Sequence, residues 1–333
     1  MDELFKQCVG IDISKQTFTA CVCKYYISEN ASYSNVENFE NSRTGFNQLI
    51  KWSRKFLSKE KPALYLMEAT GVYYESLAYH LHRLNQQVIV ALPNKVKHYA
   101  RYLCINTKND NMDARILSLM GCMQKMQLWS PPSLIFRKLR SMTRFNTELL
   151  KQRTVLINHI EALNNAEDPL PSIIKAYKKM IRDINKNIEN NDKEIDILIR
   201  EDQELNSRII KLQTIKGIGL STIVAVLAET QGFELITSRK QLARYAGFDV
   251  VERQSGSSVL GKTKISKKGN SRIRSALYFP AMVASRYNSH LKEDYERIVA
   301  KNPKQKMIAI TALQRKLLLL IYTLWKSGED YRE

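Results

Sequence analysis

The sequence predicts an α/β domain followed by a mostly helical remainder. Three observations carry that expectation. Residues 1–128 alternate strand-like and helix-like runs, residues 129–213 carry a long apolar seam at steps of four and three, and residues 214–333 are helical in pattern with short glycine breaks. A chain of 333 residues has room for the three domains these boundaries mark.

In the first region, short apolar runs predict strands at 8–13, 17–25, 33–39, 63–68 and 87–92, the third being the weakest. Apolar residues at helical spacing predict helices at 43–58, 73–85, 94–103 and 110–126. Asn41-Ser42 supplies an N-cap for the first of these, and Pro93 follows the last strand. Three strands and then alternating helix and strand is the element order of a ribonuclease-H-like fold.

Four carboxylates stand out against that frame. Asp12 lies in the apolar run Cys8-Val9-Gly10-Ile11-Asp12-Ile13, and Glu68 ends the run Ala63-Leu64-Tyr65-Leu66-Met67-Glu68. Asp110 and Asp113 are three apart at the start of a helical pattern, so they share a face. Burying an unpaired carboxylate is costly, and clustered carboxylates repel one another unless a cation neutralises them. The set therefore reads as a site for hard divalent cations, Mg²⁺ or Mn²⁺, suited to phosphoryl transfer. N-capping is the competing reading of Asp110. Glu75 is a rival for Glu68, but it falls within a helical stretch and reads as solvent-facing.

The second region is predicted as a coiled-coil helical hairpin. Positions 181, 184, 188, 191, 195, 198, 202, 205, 209 and 212 form a heptad seam interrupted by Asn191 and Asp202. A polar residue in such a seam fixes register at some cost in stability. Leu139, Met142, Phe145, Leu149, Leu156, Ile160 and Leu163 form a second stripe, and Pro169-Leu170-Pro171 separates the two. A plain helix pair on a globular body explains the same pattern. Seam length favours a projecting pair that joins subunits or spans a nucleic acid.

The third region opens with Ile215-Lys216-Gly217-Ile218-Gly219 before the apolar helix 221–229. Such a turn lets backbone amides approach phosphate, or is a simple helix-to-helix connection. From 261 to 286 the basic residues Lys262, Lys264, Lys267, Lys268, Arg272, Arg274 and Arg286 occur with no acid, which suits a phosphate-tracking segment as well as a solvated basic loop. Just before it, Arg253-Gln254-Ser255-Gly256-Ser257-Ser258 places hydroxyls among cations. A serine there can attack a phosphodiester, although a flexible loop has the same composition.

Composition agrees with a polyanionic partner. Lys and Arg number 52 against 33 acids, a net charge of +19. Lys108, Arg115, Lys216 and Arg253 join the basic segment as candidate phosphate contacts. Cys8, Cys21, Cys23, Cys104 and Cys122 form no CxxC pair, and the first three lie in strand-like runs as buried thiols. With no signal pattern and no apolar run near the ~18 residues of a membrane span, the expected location is the cytoplasm.

The motifs Val9-Gly10-Ile11-Asp12-Ile13-Ser14-Lys15, Met67-Glu68-Ala69-Thr70-Gly71-Val72-Tyr73, Leu92-Pro93-Asn94-Lys95-Val96-Lys97 and Asn109-Asp110-Asn111-Met112-Asp113-Ala114 resemble the DEDD-class insertion-sequence transposases, the insertion sequence 110 family. Ile215-Lys216-Gly217-Ile218-Gly219, Leu242-Ala243-Arg244-Tyr245-Ala246-Gly247-Phe248, Gln254-Ser255-Gly256 and Lys264-Ile265-Ser266-Lys267-Lys268-Gly269-Asn270 extend the resemblance through the C-terminal region. It implies a RuvC-like nuclease domain with Asp12, Glu68, Asp110 and Asp113 as metal ligands. It further implies a C-terminal transposase domain in which Ser255 becomes joined to DNA, with Ser257 and Ser258 as fallbacks. A structured noncoding bridge RNA, donor and target DNA, and a homo-oligomer (dimer or tetramer) are the implied partners. The chain departs from the family pattern at Asp249-Val250-Val251, where members frequently carry proline. The competing functions are a metal-dependent structure-specific nuclease that uses water, a site-specific invertase without an RNA guide, and a non-catalytic nucleic-acid-binding protein.

Overall fold

The computed structural model describes residues 2–69, 71–105, 109–255, 259–301 and 303–331, and divides the chain into two compact units, Met1–Pro131 and Pro132–Glu333. The first unit contains strands β1 (Leu4–Ile13), β2 (Thr17–Tyr26), β3 (Ala31–Tyr33) and β4 (Glu37–Glu40), helix α1 (Arg43–Ser53), strand β5 (Ala63–Glu68), helix α2 (Glu75–Arg83), strand β6 (Gln87–Ala91), and helices α3 (Pro93–Tyr102) and α4 (Asp110–Met123). The sheet order is β3-β2-β1-β5-β6, with β4 also paired to β2. The β1–β2 pair is antiparallel, whereas β1–β5 and β5–β6 are parallel.

The two faces of this sheet pack differently, and the alternation along each strand decides which residue goes where. Val9, Ile11, Tyr65 and Met67 join a core with Phe46, Leu49, Leu77 and Leu81 from α1 and α2. Cys8, Leu66 and Ile89 join another with Val96 and Tyr99 of α3 and Ile116, Leu117 and Met120 of α4. Gln7, 1% exposed, is satisfied by donating to the carbonyls of Ser58 and Lys61 and accepting from the Ser58 amide.

Two expectations need adjustment here. The weak strand at 33–39 is two short strands on β2. The first helix, capped by Ser42 as expected, stops at Ser53, whose hydroxyl turns back to the Ile50 carbonyl. Cys8, Cys21, Cys23 and Cys122 are buried free thiols, and Cys104 is exposed.

The second unit contains α5 (Leu134–Asn164), α6 (Pro171–Glu201), α7 (Gln203–Gln213), α8 (Leu220–Thr230), α9 (Arg239–Ala246), β7 (Val250–Ser255), β8 (Val259–Ile265), α10 (Ser271–Ala276), α11 (Tyr278–Tyr287), α12 (Ser289–Lys301) and α13 (Lys306–Ser327). Helices α5 and α6 form an antiparallel hairpin: Asn191 donates to Asn146 at 2.8 Å, Arg153 to Asn185 at 3.0 Å, and His159 stacks on Tyr177 near the far end. Its base enters the same core as the following helices, since Leu139, Ile195 and Ile199 pack with residues of α7, α8 and α13.

The seam differs from expectation in two places. Phe145 is 48% exposed, and the inward position is taken by Asn146. Asp202 does not continue a helix; its carboxylate accepts from the Leu205 amide and starts α7, which sends Leu205, Ile209 and Leu212 into the core of the unit rather than along the hairpin. The unit is mostly helical, as expected, with the β7–β8 hairpin as a strand pair within it.

The expectation that no segment has the length and apolarity of a membrane span is also corrected. Helix α13 meets both conditions, with mean hydropathy 1.5. In the fold its Leu313, Leu317, Leu318 and Ile321 are fully enclosed in the core, which is the other role such a helix fills.

Candidate active site and nucleic-acid interface

Register brings Asp12 and Glu68 together. Ile11 pairs with Met67 across the parallel strands, so the next residues, Asp12 and Glu68, stand level at the strand ends and point to the same face. They share the parity of Cys8 and Leu66, hence the face covered by α4. Both are half-buried.

Glycine fixes how closely α4 lies on that face. A Cβ at Gly10 would stand 2.1 Å from the Ser118 nitrogen and 2.3 Å from the Ala114 oxygen, and a Cβ at Gly121 would stand 2.2 Å from Cys8 Sγ. Position 8 thus meets 121 and position 10 meets 118 and 114. The helix runs against the strand direction, so Asp12 lies toward its first turn, where Asp110 and Asp113 reside. That first turn is capped by Asn109, whose side chain accepts from the Met112 amide at 2.8 Å. The cap position therefore belongs to Asn109, and Asp110, the first residue of α4, is exposed.

The four acids are an all-oxygen set of the kind hard divalent cations take. Among the described residues no three His, Cys, Asp or Glu side chains gather closely enough to hold a metal ion. Glu75 belongs to α2, which packs on the opposite face of the sheet.

In the second unit, Ser255 is the last residue of β7 and pairs with Val259, so it sits at the end of a strand rather than within a loop. The side chains of residues 253–262, including Arg253, Ser255 and Lys262, lie outside the described residues, as do Lys108, Ser257 and Ser258 altogether. Lys264, Lys267, Lys268 and Arg272 are exposed on β8 and its continuation into α10, and Lys216 is exposed before α8. In the first unit Arg115 is exposed on α4. Arg274 departs from its expected role: its guanidinium donates to the Ala246 and Gly269 carbonyls, at 2.7 and 3.3 Å, and so ties the fold together.

The hairpin is anchored at its base. Ser266 N donates to the Asp249 carbonyl and Lys267 N to the Gly247 carbonyl. Gly269 approaches so closely that a Cβ there would stand 2.4 Å from the Gly247 nitrogen. Asn270 caps α10 through its Oδ1 and donates from Nδ2 to Glu229 at 2.7 Å. Glu229 also accepts two hydrogen bonds from Arg144, and its backbone carbonyl accepts from the Tyr245 hydroxyl. Burial alone would raise the Glu229 carboxyl. The hydrogen bonds from Arg144 and Asn270, with the charges of Arg144 and Arg140, outweigh burial and hold it below its ordinary value. Sequence reasoning passed over this cluster; its one visible trace was an acid near the end of an otherwise apolar helix.

The sequence of this chain is similar to those of known proteins. The DEDD model of IS110 elements, described as a transposase, matches residues 9–164. A second model, described as a transposase of the IS116/IS110/IS902 family, matches residues 210–296. The pilin gene-inverting proteins of Moraxella bovis and Moraxella lacunata are each 32% identical over 329 residues, covering 98% of this chain and 98% of theirs. The transposase for insertion sequence element IS1111A of Coxiella burnetii is 23% identical over 268 residues, covering 72% of this chain and 71% of that protein. The chain belongs to the IS110 family of DEDD transposases, enzymes that cleave and rejoin DNA.

Proposed function

We propose that this transposase cuts and rejoins the ends of an insertion sequence through a covalent link between DNA and Ser255. Asp12, Glu68, Asp110 and Asp113 serve as the cation-binding acids of a RuvC-like domain. The observation that carries the reading is the convergence on one sheet face of Asp12 and Glu68 with the helix end that bears Asp110 and Asp113. Mg²⁺ or Mn²⁺ bound there supplies positive charge against the scissile phosphate. The reading requires the acid side chains to draw closer when a cation binds.

In the covalent step Ser255 Oγ forms a bond to phosphorus while the bond from phosphorus to a deoxyribose oxygen breaks. The serine proton passes to a carboxylate or water, and the departing oxygen is protonated in turn. Reversal of the step on a new strand end restores the phosphodiester without an external energy source. The exposed Lys264, Lys267, Lys268 and Arg272 hold the DNA backbone. A structured bridge RNA encoded by the element pairs with donor and target DNA and so chooses sites, and the α5–α6 hairpin brings copies of the chain together so that the acids of one serve the serine of another.

The test is Ser255→Ala with labelled element DNA, cognate transcript and Mg²⁺. Covalent protein–DNA adducts and strand exchange are expected to vanish while DNA binding persists. Continued recombination by the alanine variant overturns the central step, and cleavage without adducts identifies a water-using nuclease.

Full-length similarity to pilin gene-inverting proteins favours a second reading, site-specific inversion without a guide. Sequencing the RNA that copurifies with the chain separates the two. A discrete transcript from the flanking DNA supports guidance, and its absence supports the unguided invertase.

A further inference from the structure

A second feature of the first unit is used by none of the chemistry above. Helix α3 carries Lys95, Lys97, His98 and Arg101 and no acid. One face of it, Lys95, His98, Tyr99 and Tyr102, borders a cleft of about 420 Å³. The opposite wall is the end of α4 and the chain after it, with Met120, Met123, Lys125 and Met126. No acid lines it. The cleft is distinct from the carboxylate end, because Met120 lies seven residues beyond Asp113, about 10 Å along the helix.

The aromatic arrangement is specific. Tyr99 is 6% exposed and held by its hydroxyl, which donates to Met123 Sδ at 3.2 Å. Tyr102 stacks beside it, with ring centroids 6.3 Å apart and planes 28° from parallel, yet remains 74% exposed. An aromatic ring supported on one side and open on the other is a platform for a flat partner. Thioether sulfurs add a polarisable surface that adapts to such a partner. The surrounding cations require that partner to be anionic.

We propose that this cleft binds an unpaired nucleotide of the nucleic acid on which the transposase acts, its base stacked on Tyr102 and its phosphates met by Lys95, His98 and Lys125. A duplex does not fit the requirement, because its base faces are already stacked on one another. The volume is within the range of small-ligand sites. Charge complementarity sets the occupant: a chain of net charge +19, with an acid-free cationic aromatic cleft, binding a polyanion with exposed rings. The unpaired nucleotide comes either from displaced DNA or from RNA.

The test uses the full chain, with fluorescence anisotropy on short oligo(U), oligo(dT) and duplex DNA. Tyr102→Ala is expected to weaken single-strand binding about tenfold, to leave duplex binding unchanged, and to be rescued by Tyr102→Trp. Loss on oligo(U) alone assigns the cleft to RNA, loss on oligo(dT) alone to displaced DNA, and loss on both to either strand. Unchanged single-strand binding overturns the proposal, as does an equal loss on duplex. So does a change of oligomeric mass with no change in single-strand binding, which would give the cleft to a second copy of the chain. Adduct formation through Ser255 is a separate readout, so failure here leaves the catalytic proposal standing.

Discussion

Arg144 of α5 grips the buried Glu229 of α8 through two hydrogen bonds, Nε to Oε1 at 2.8 Å and Nη2 to Oε2 at 3.1 Å. Asn270 completes the set at 2.7 Å. The base of the helical hairpin and the start of α10, next to the basic segment, are thereby tied to one carboxylate whose side chain is only 4% exposed.

Removing that carboxylate leaves a guanidinium and an amide without their acceptor. Glu229→Ala is expected to cost about 1–3 kcal/mol, the range for leaving hydrogen-bond donors without their acceptor, because Arg144 remains 42% exposed and can turn to water. Urea unfolding of the unaltered chain and the variant measures it. The pH dependence has a defined sign. A depressed carboxyl binds fewer protons folded than unfolded, so its stabilisation is present above its unfolded pKa and is lost as pH falls through the folded value. The stability gap between the unaltered chain and Glu229→Gln should therefore narrow as the solution is acidified. A gap that widens toward acid contradicts the depressed carboxyl.

Gly10 offers a test of how α4 is placed. In Gly10→Ala the new methyl meets backbone atoms of Ser118 and Ala114, which cannot swing aside as a side chain would. The helix must shift, at a cost of about 3 kcal/mol for overpacking against a rigid neighbour. The shift also carries Asp110 and Asp113 away from Asp12. DNA cleavage should fall even below the melting transition, measured by thermal unfolding alongside a cleavage assay at low temperature. Full cleavage by a destabilised variant would separate α4 from the site.

What the sequence made legible follows local physics. Acids ending apolar runs, a cap before an apolar helix, and a proline after a strand are each decided within a few residues, and Glu68, Ser42 and Pro93 stand where that logic puts them. Capping is the competing reading of Asp110, and the structure gives the cap before α4 to the adjacent Asn109, which is equally able to serve. Phe145 and Asn146 were exchanged for a related reason: apolarity marks the seam only until a hydrogen-bonded pair replaces an apolar one. Long-range closures were not legible. Nothing near Glu229 points to Arg144, 85 positions away, and the need for glycine at position 10 exists only once α4 lies across the strand.

The Asn146–Asn191 pair carries its own prediction. Asn191 is 8% exposed and donates to the Met142 carbonyl and to Asn146 Oδ1. Asn191→Ala should cost about 1–3 kcal/mol, because buried acceptors lose their donor. Replacing Asn146 and Asn191 together with leucine should recover that loss but relax the register of α5 against α6. Thermal unfolding reads the first effect, and disulfide trapping between cysteine pairs placed in and out of register reads the second. If the double variant traps only the native register, the polar pair is not what sets it.

Cation binding can be read without DNA. The melting temperatures of the unaltered chain and of Asp12→Asn in a chelating buffer are the baselines against which cation addition is read. A ligand at a hundred times its dissociation constant stabilises the folded chain by about 2.7 kcal/mol, and a site lacking Asp12 forfeits much of that. The unaltered chain should therefore rise by several degrees with Mg²⁺ and Asp12→Asn by far less. The Glu68→Gln variant should behave as Asp12→Asn does, since the two acids stand level on neighbouring strands. A surface substitution such as Glu60→Gln, outside the set, should leave the Mg²⁺ response intact. Equal rises in all four proteins would place the cations elsewhere and remove the acids from the proposed chemistry.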